Sequence, residues 1–407
     1  MSRSKEVFKP RQPHQVKIFT CGPSTYRRPH IGNYRSFLYE DILLRYLTYK
    51  GYSVKRTINF TDVEDKAIVE AQNKGKSVSE ITDEVHKHFF RETELLGITL
   101  PDEIPRSSTS VDQAVEIIQK LIKDGTAYWH EGDVFFDPLK FEGFGKLYGL
   151  DMSAWPKKKV RFKRDTYNGR RWNRGDFILW HGHNHQSESS DYWETEIGKG
   201  RPAWNIQDPA MILQQIGTQV DINCGGIDNI FRHHDYNIAV MEPFSGKSYA
   251  NYYLHGEHLI VNGKPMSKGI GNILYPDDLV AEGYEHKHLR FFLIYTYYRK
   301  KLNFTDKNFQ NTSLVLDNFR RLADGLLAKP SAGGIKSQGI AALVQDISAV
   351  FEMQMDDDLG VGKAFDAMFA QIIKIENFLA GSPLHGSHAK SLRQILKKID
   401  TVFGVIF

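Results

Sequence analysis

Cysteine is nearly absent from this chain of 407 residues: only Cys21 and Cys224 occur, each beside a glycine motif, so no disulfide framework is expected. No run of about 18 apolar residues is present, which excludes a membrane-spanning helix and a membrane partner. The opening Met1-Ser2-Arg3-Ser4-Lys5-Glu6 lacks the apolar core of a secretory signal. Net charge is also scarce, at +4, enough to permit a polyanionic partner without requiring one. The remaining composition, 41% hydrophobic and 25% charged, is that of an ordinary globular protein. The length exceeds what one core sustains, so two or three domains are expected, in a cytosolic monomer.

Residues Lys17 to Asn33 read as strand, loop and helix start. Apolar residues up to Cys21 form the strand, Gly22-Pro23 breaks it, and His30-Ile31-Gly32-Asn33 opens a helical pattern at Phe37, Leu38, Ile42, Leu43, Tyr46 and Leu47. A helix start presents unpaired N–H groups and the positive end of a dipole, so phosphates sit well there. Gly32 leaves room for a bulky ring against the backbone, and His30 is placed to donate to phosphate oxygens whose charge rises in a transition state. An ordinary βα turn with a surface histidine would use the same residues.

Far down the chain, Val261-Asn262-Gly263-Lys264-Pro265-Met266-Ser267-Lys268-Gly269-Ile270-Gly271-Asn272 has the glycines and lysines of a mobile phosphate clamp. Together the two stretches resemble the His-Ile-Gly-His and Lys-Met-Ser-Lys-Ser signatures of class I aminoacyl-tRNA synthetases. Within that class the chain resembles the cysteinyl-tRNA synthetase family. Cys21-Gly22-Pro23, the segment from Asn59 to Lys66, Gly198-Lys199-Gly200-Arg201-Pro202-Ala203-Trp204, Gly225-Gly226-Ile227-Asp228 and Phe231-Arg232-His233-His234 follow that family in order and spacing. The resemblance runs from about residue 15 to the end.

The fold class expected is α/β. The strand, helix, strand, helix order up to Gly75 marks a doubly wound parallel sheet. By resemblance this is the Rossmann-like nucleotide fold of class I synthetases, with a mixed insertion domain and a C-terminal helical bundle. Residues 1–75 would form the first half of the nucleotide fold, 76–200 the acceptor-side insertion, 201–304 the second half with the lysine loop, and 305–407 the bundle. The insertion carries a basic run from Lys157 to Arg174, including Lys163, Arg164, Arg170 and Arg171, interleaved with Trp155, Phe162, Tyr167 and Trp172. Cations with aromatic platforms suit a single-stranded nucleic acid end; a solvated hairpin turning at Asn168-Gly169 is the alternative. The chain stops at Phe407 where the family continues to an anticodon-reading module, so that module is expected to be missing.

The resemblance implies ATP with Mg2+, an amino acid, and formation of an aminoacyl-adenylate. His30, Gly32 and Asn33 would face the triphosphate, Asn33 replacing the second signature histidine with an uncharged donor. Gly225, Gly226 and Asp228 would lie by the adenosine, and Met266, Ser267 and Lys268 would close over the pyrophosphate. Thr61 and Trp204 would line the amino-acid site, core packing being the alternative for each. Tyr26, Arg27 and Arg28 suit either an acceptor or a plain loop. The family holds zinc with two cysteines, a histidine and a glutamate. The matching positions here are Cys21, Asp208, His233 and Asn237, a degenerate set that makes zinc doubtful. Asp208 could instead meet a cationic group on the substrate or start a helix before Pro209. Cys224 and Asn223 stand where the family has glycine and histidine. These changes together point to an altered amino-acid pocket.

Three functions compete. One is a cysteine-tRNA ligase-like enzyme passing the amino acid to tRNA; the second joins it to a small-molecule amine, as the mycothiol cysteine ligases do; the third is a catalytically silent binding paralogue.

Overall fold

The computed structural model describes residues 4–63, 65–101, 103–154, 175–183, 192–328 and 330–407. The basic run with Lys163, Arg164, Arg170 and Arg171, and the turn at Asn168-Gly169, lie outside these residues. The chain forms two compact units, each assembled from separate segments: residues 1–29, 55–90 and 100–255 in one, and 30–54, 91–99 and 256–407 in the other.

The first unit is built on a sheet ordered β2-β1-β7-β8, with β1 (Gln15–Thr20), β2 (Ser53–Ile58), β7 (Val220–Gly226) and β8 (Ala250–Gly256). β1 and β7 run parallel, with Thr20 opposite Cys224. Both are buried where they pair, as a sheet covered on two faces requires. A second, antiparallel sheet joins β3 (Ala127–His130), β4 (Asp133–Phe136), β5 (Phe177–Gly182) and β6 (Gly200–Pro202) in that order. The apolar runs Val134-Phe135-Phe136 and Phe177-Ile178-Leu179-Trp180 lie in β4 and β5. The helices here are α2 (Asp65–Lys74), α4 (Val111–Lys123), α5 (Trp204–Gln215) and α6 (Asp235–Ser245); α3 (Val78–Leu95) contributes residues to both units. The apolar face of α4 packs Val111, Ala114, Val115, Ile117, Ile118 and Leu121 into one core with Phe136, Phe177, Trp180, Ile206 and Tyr236.

The second unit begins with α1 (Ile31–Tyr49) and adds a small sheet ordered β10-β9-β11, of β9 (Leu259–Val261), β10 (Lys264–Pro265) and β11 (Leu302–Phe304). It ends in helices α7 (Pro276–Ala281), α8 (His286–Tyr295), α9 (Asp306–Ala328), α10 (Gln338–Asp356), α11 (Val361–Leu379) and α12 (Gly386–Phe403). Phe365 lies at the centre of the helical core, its ring 4.5 Å from that of Phe291 and 4.8 Å from that of Phe319. Arg290 on α8 is buried, and its guanidinium donates to Asp41 Oδ2 on α1 (2.9 Å) and to the carbonyls of Leu96 (2.8 Å), Gly97 (3.0 Å) and Phe403 (2.7 Å).

Candidate active site

In the second unit the two signature stretches meet. His30 caps α1: its Nδ1 accepts from the Gly32 N–H (3.1 Å), while its own backbone N–H donates to Asn33 Oδ1 (2.9 Å). This reciprocal pair satisfies two helix-start donors at once. With Nδ1 accepting, the imidazole proton belongs on Nε2, and burial lowers the ring's pKa from its ordinary value. His30 is therefore a neutral donor through Nε2–H. A Cβ on Gly32 would lie 2.8 Å from the Met266 methyl group and 3.0 Å from the His30 ring. A side chain at position 32 would make the Met266 methyl and the His30 ring shift, so glycine favours this close packing of the lysine loop on the helix start. The loop is pinned further by Ile31 N–H donating to the Leu274 carbonyl (3.0 Å), by Ser267 N–H donating to Asn272 Oδ1 (2.9 Å), and by Asn272 Nδ2 donating to the Pro265 carbonyl (3.1 Å). Lys268 is exposed. Asn33, read from the sequence as a phosphate-facing amide, is exposed and uses its side-chain oxygen on the cap.

In the first unit a polar cluster gathers at the end of β1. Cys21 follows that strand, and its Sγ lies 3.2 Å from His233 Nε2, 3.2 Å from His234 Nε2 and 3.8 Å from Asp208 Oδ2. Asp208 Oδ2 is 2.9 Å from His233 Nε2. Helix α5 starts at Trp204 after an Ala203 cap, so Asp208 sits a full turn inside and is no helix-start residue. Its carboxylate accepts from Asn59 Nδ2 (2.7 Å) and from Asn237 Nδ2 (3.3 Å). A carboxylate 1% exposed requires such donors. The protein itself supplies them, which removes the argument for a cation on the substrate side chain. Asn59 Oδ1 in turn accepts from Gly22 N–H (2.8 Å), tying Cys21-Gly22-Pro23 to the pocket.

A backbone distortion aims the two histidines. Phe231 is extended (φ −104°, ψ 144°) and Arg232 is left-handed (φ 70°), an uncommon state for a residue with a side chain. His233 and His234 then stand at the unwound entry to α6 and both reach Cys21. A Cβ on Gly225 would come within 2.9 Å of the His234 ring, so this glycine, read as adenosine-binding, also makes room for the imidazole. His234 Nδ1 lies 2.8 Å from His255 Nε2 on β8. Complete burial, aided by His255 and His233, holds the His234 pKa well below its ordinary value.

Of the remaining expected pocket residues, Trp204 and Cys224 are tied to this cluster directly. The Trp204 ring stacks on His233 with centroids 4.5 Å and planes 21° apart. Thr61 is buried, and its carbonyl accepts from Thr25 Oγ1 (2.6 Å). Cys224 is buried on β7, and neither cysteine is in a disulfide. Asn223 Oδ1 accepts from the Tyr249 hydroxyl (2.7 Å), while Asn223 Nδ2 is buried with no partner among the described residues. Burial holds the Tyr249 phenol well above its usual pKa, with Tyr253, Asp208, Cys21 and Cys224 adding to the effect. Asp228, after β7, is exposed beside Gly226. Asn59, His234, Tyr249, His255 and Asn272 had not been singled out as site residues from the sequence. The adjacent pair His233-His234 was the one visible signal.

The family resemblance implies a zinc ion at this cluster. A four-coordinate zinc with bonds of about 2.0–2.3 Å spaces its ligand atoms by roughly 3.3–3.7 Å. Cys21 Sγ lies 3.2 Å from both His233 Nε2 and His234 Nε2, close to that spacing, and the three atoms lie within 4.8 Å of one another. Thiol and imidazole donors are the chemistry of a borderline-soft divalent cation, and the residues fit one.

The catalytic domain of class I (C) tRNA synthetases matches residues 7–314. Cysteine–tRNA ligase of Chlamydia pneumoniae is 35% identical over 412 aligned residues, covering 100% of this chain and 85% of that protein. Cysteine–tRNA ligase of Leptospira interrogans serogroup Icterohaemorrhagiae serovar Lai is also 35% identical, with 100% and 86% covered. Among solved structures, Mycobacterium tuberculosis methionyl-tRNA synthetase in complex with methionyl-adenylate superposes with a TM-score of 0.68 at 15% identity, covering 95% of this chain and 89% of that one. The Agrobacterium radiobacter K84 LeuRS-tRNA-LeuAMS ternary complex gives 0.69 at 12% identity, covering 98% and 86%. The structural likenesses establish the fold, and the catalytic-domain match with the full-length sequence likenesses establishes descent: the chain belongs to the cysteinyl-tRNA synthetase family, ATP-dependent ligases of class I.

Proposed function

We propose that this chain activates an amino acid with ATP and transfers it to a tRNA, through an amino-acid pocket that differs from that of its relatives. An oxygen of the amino-acid carboxylate attacks the α-phosphorus of ATP, the bond to the β-phosphate oxygen breaks, and pyrophosphate leaves as the aminoacyl-adenylate forms. The acceptor hydroxyl then displaces AMP. No covalent enzyme intermediate is involved, so the protein contributes position and charge. The observation that carries this reading is the closure of the Met266 loop on Gly32 and His30, which puts a neutral Nε2–H donor and the α1 start beside a lysine-bearing loop. His30 and Lys268 are assigned to the phosphates, with Mg2+ accompanying ATP. Gly225, Gly226 and Asp228 are assigned to the adenosine.

The pocket assigned to the side chain contains Cys21, Thr61, Trp204, Asp208, Asn223, Cys224, His233 and Asn237, and Tyr249 joins them through its hydrogen bond to Asn223. Its buried Asn223 Nδ2 donor favours a side chain carrying an acceptor atom over an apolar one. A soft divalent cation bound at the Cys21 cluster would supply a Lewis-acidic position for such an atom.

ATP–pyrophosphate exchange over the set of amino acids tests the activity. Lys268→Ala should slow exchange by about 10²-fold or more, the usual size of losing a charge stabiliser; unchanged exchange would remove Lys268 from the mechanism.

A further inference from the structure

The relatives' ligand positions map to 21, 208, 233 and 237, yet two of these are occupied with each other. Asp208 takes both amides, from Asn59 and Asn237, and Asn237 presents its nitrogen, a donor, to Asp208. Meanwhile Cys21 Sγ, His233 Nε2 and His234 Nε2, which lie within 4.8 Å of one another, converge. We propose that this chain has moved its metal site: Cys21, His233 and His234 hold a borderline-soft divalent cation such as Zn2+, His255 orients His234 from behind, and Asn237 takes no part in coordination.

Three observations carry this. First, both imidazole nitrogens stand at the same 3.2 Å from one sulfur, a convergence that a single thiol–imidazole hydrogen bond does not require. Second, His234 Nδ1 has its own partner in His255 Nε2 at 2.8 Å, leaving Nε2 to face the thiol. A ligating histidine commonly donates its other ring N–H in this way, which fixes its tautomer and plane. Third, the left-handed Arg232 and the space kept by Gly225 exist at the residues that bring His234 into the cluster; strain is retained where a site needs it. The Asp208 carboxylate, 3.8 Å from the sulfur and 2.9 Å from His233 Nε2, adds negative charge beside the cation.

The same atoms could act without metal, as a Cys21 nucleophile with His234 as base and His255 as orienter. One set of measurements separates the two, and it reads binding on the full chain without ATP, amino acid or tRNA, so it stands apart from the adenylation reading. The purified chain should carry about one divalent cation. After chelation, added Co2+ should give a thiolate-to-cobalt charge-transfer band. His255→Gln should weaken Co2+ binding by about 10–100-fold, as loss of an orienting partner does. His234→Gln should abolish stoichiometric binding, with circular dichroism monitoring the fold, while Asn237→Ala should retain it. Should His234→Gln fail to fold, the wild-type band and the His255→Gln titration decide. A wild-type chain that gives no charge-transfer band and whose Cys21 is alkylated rapidly would overturn the proposal. So would cation retained in His234→Gln and lost in Asn237→Ala, which would return coordination to the relatives' positions.

Discussion

Asn59 shows how much one side chain can join. Its amide accepts from Gly22 N–H and donates to Asp208, linking the β1 exit to α5 through one half-buried and one buried hydrogen bond. Asn59→Ala leaves a buried carboxylate oxygen and a backbone N–H without those partners, and an orphaned buried group costs about 1–3 kcal/mol. The variant should lose about 2–4 kcal/mol in urea unfolding, and a loss under about 0.5 kcal/mol would show that water replaces the amide. Sequence reading placed Asn59 in a family motif but gave it no partner, because the partner lies far along the chain. It also passed over His234. Neighbouring residues on a regular helix point in different directions, so His233 and Asn237, four apart, were the natural pair. The left-handed Arg232 ends that regularity, and left-handed backbone at an arginine is not written in the residue type.

At the scale of elements, the two signatures were legible because each combines a local pattern with a chemical demand. The α1 start was marked by His30-Ile31-Gly32-Asn33, but the capping use of Asn33 was not, since an amide suits a phosphate and a backbone N–H equally. Helix α3 carries a further device in the first unit. His86 is buried, stacks on Phe60 with ring centroids 4.3 Å apart, and its Nδ1 lies 3.1 Å from Arg106 Nη2. Burial, then Arg106, lowers its pKa from 6.5 to about 4. Above pH 6.5 the ring is neutral folded or unfolded and has no pH effect. As pH falls from about 6.5 to about 4, the unfolded chain takes up a proton that the folded one refuses, so stability declines. A difference of that size corresponds to at most about 3 kcal/mol. Relative to His86→Phe, the wild type should lose about 2–3 kcal/mol over this window; parallel stability curves for the two proteins would show that His86 does not control it.

At the scale of the molecule, the helices of the last hundred residues and a parallel sheet containing β1 were readable from periodicity and order; that β7 is the strand beside β1 was not. The assembly of residues 30–54 and 91–99 with 256–407 was not, because it depends on contacts between distant segments. Arg290 is one such contact. Its guanidinium serves Asp41 and three backbone carbonyls, while Asp41 also accepts from the Thr99 N–H (2.9 Å) and forms an ion pair with Arg45, whose Nε lies 2.8 Å away. Removing one partner of a buried ion pair costs about 3–5 kcal/mol. Arg290→Ala should therefore lower the unfolding free energy of the second unit by that amount, and a change below about 1 kcal/mol would show the charge to be hydrated.

The central claim is adenylate formation by a family member with a rebuilt pocket, and ATP–pyrophosphate exchange screened over all amino acids tests it most directly. The claim predicts exchange that depends on one amino acid or a narrow polar set and falls about 10²-fold or more in Lys268→Ala. Exchange with none of them, in folded protein supplied with Mg2+ and Zn2+, would contradict it.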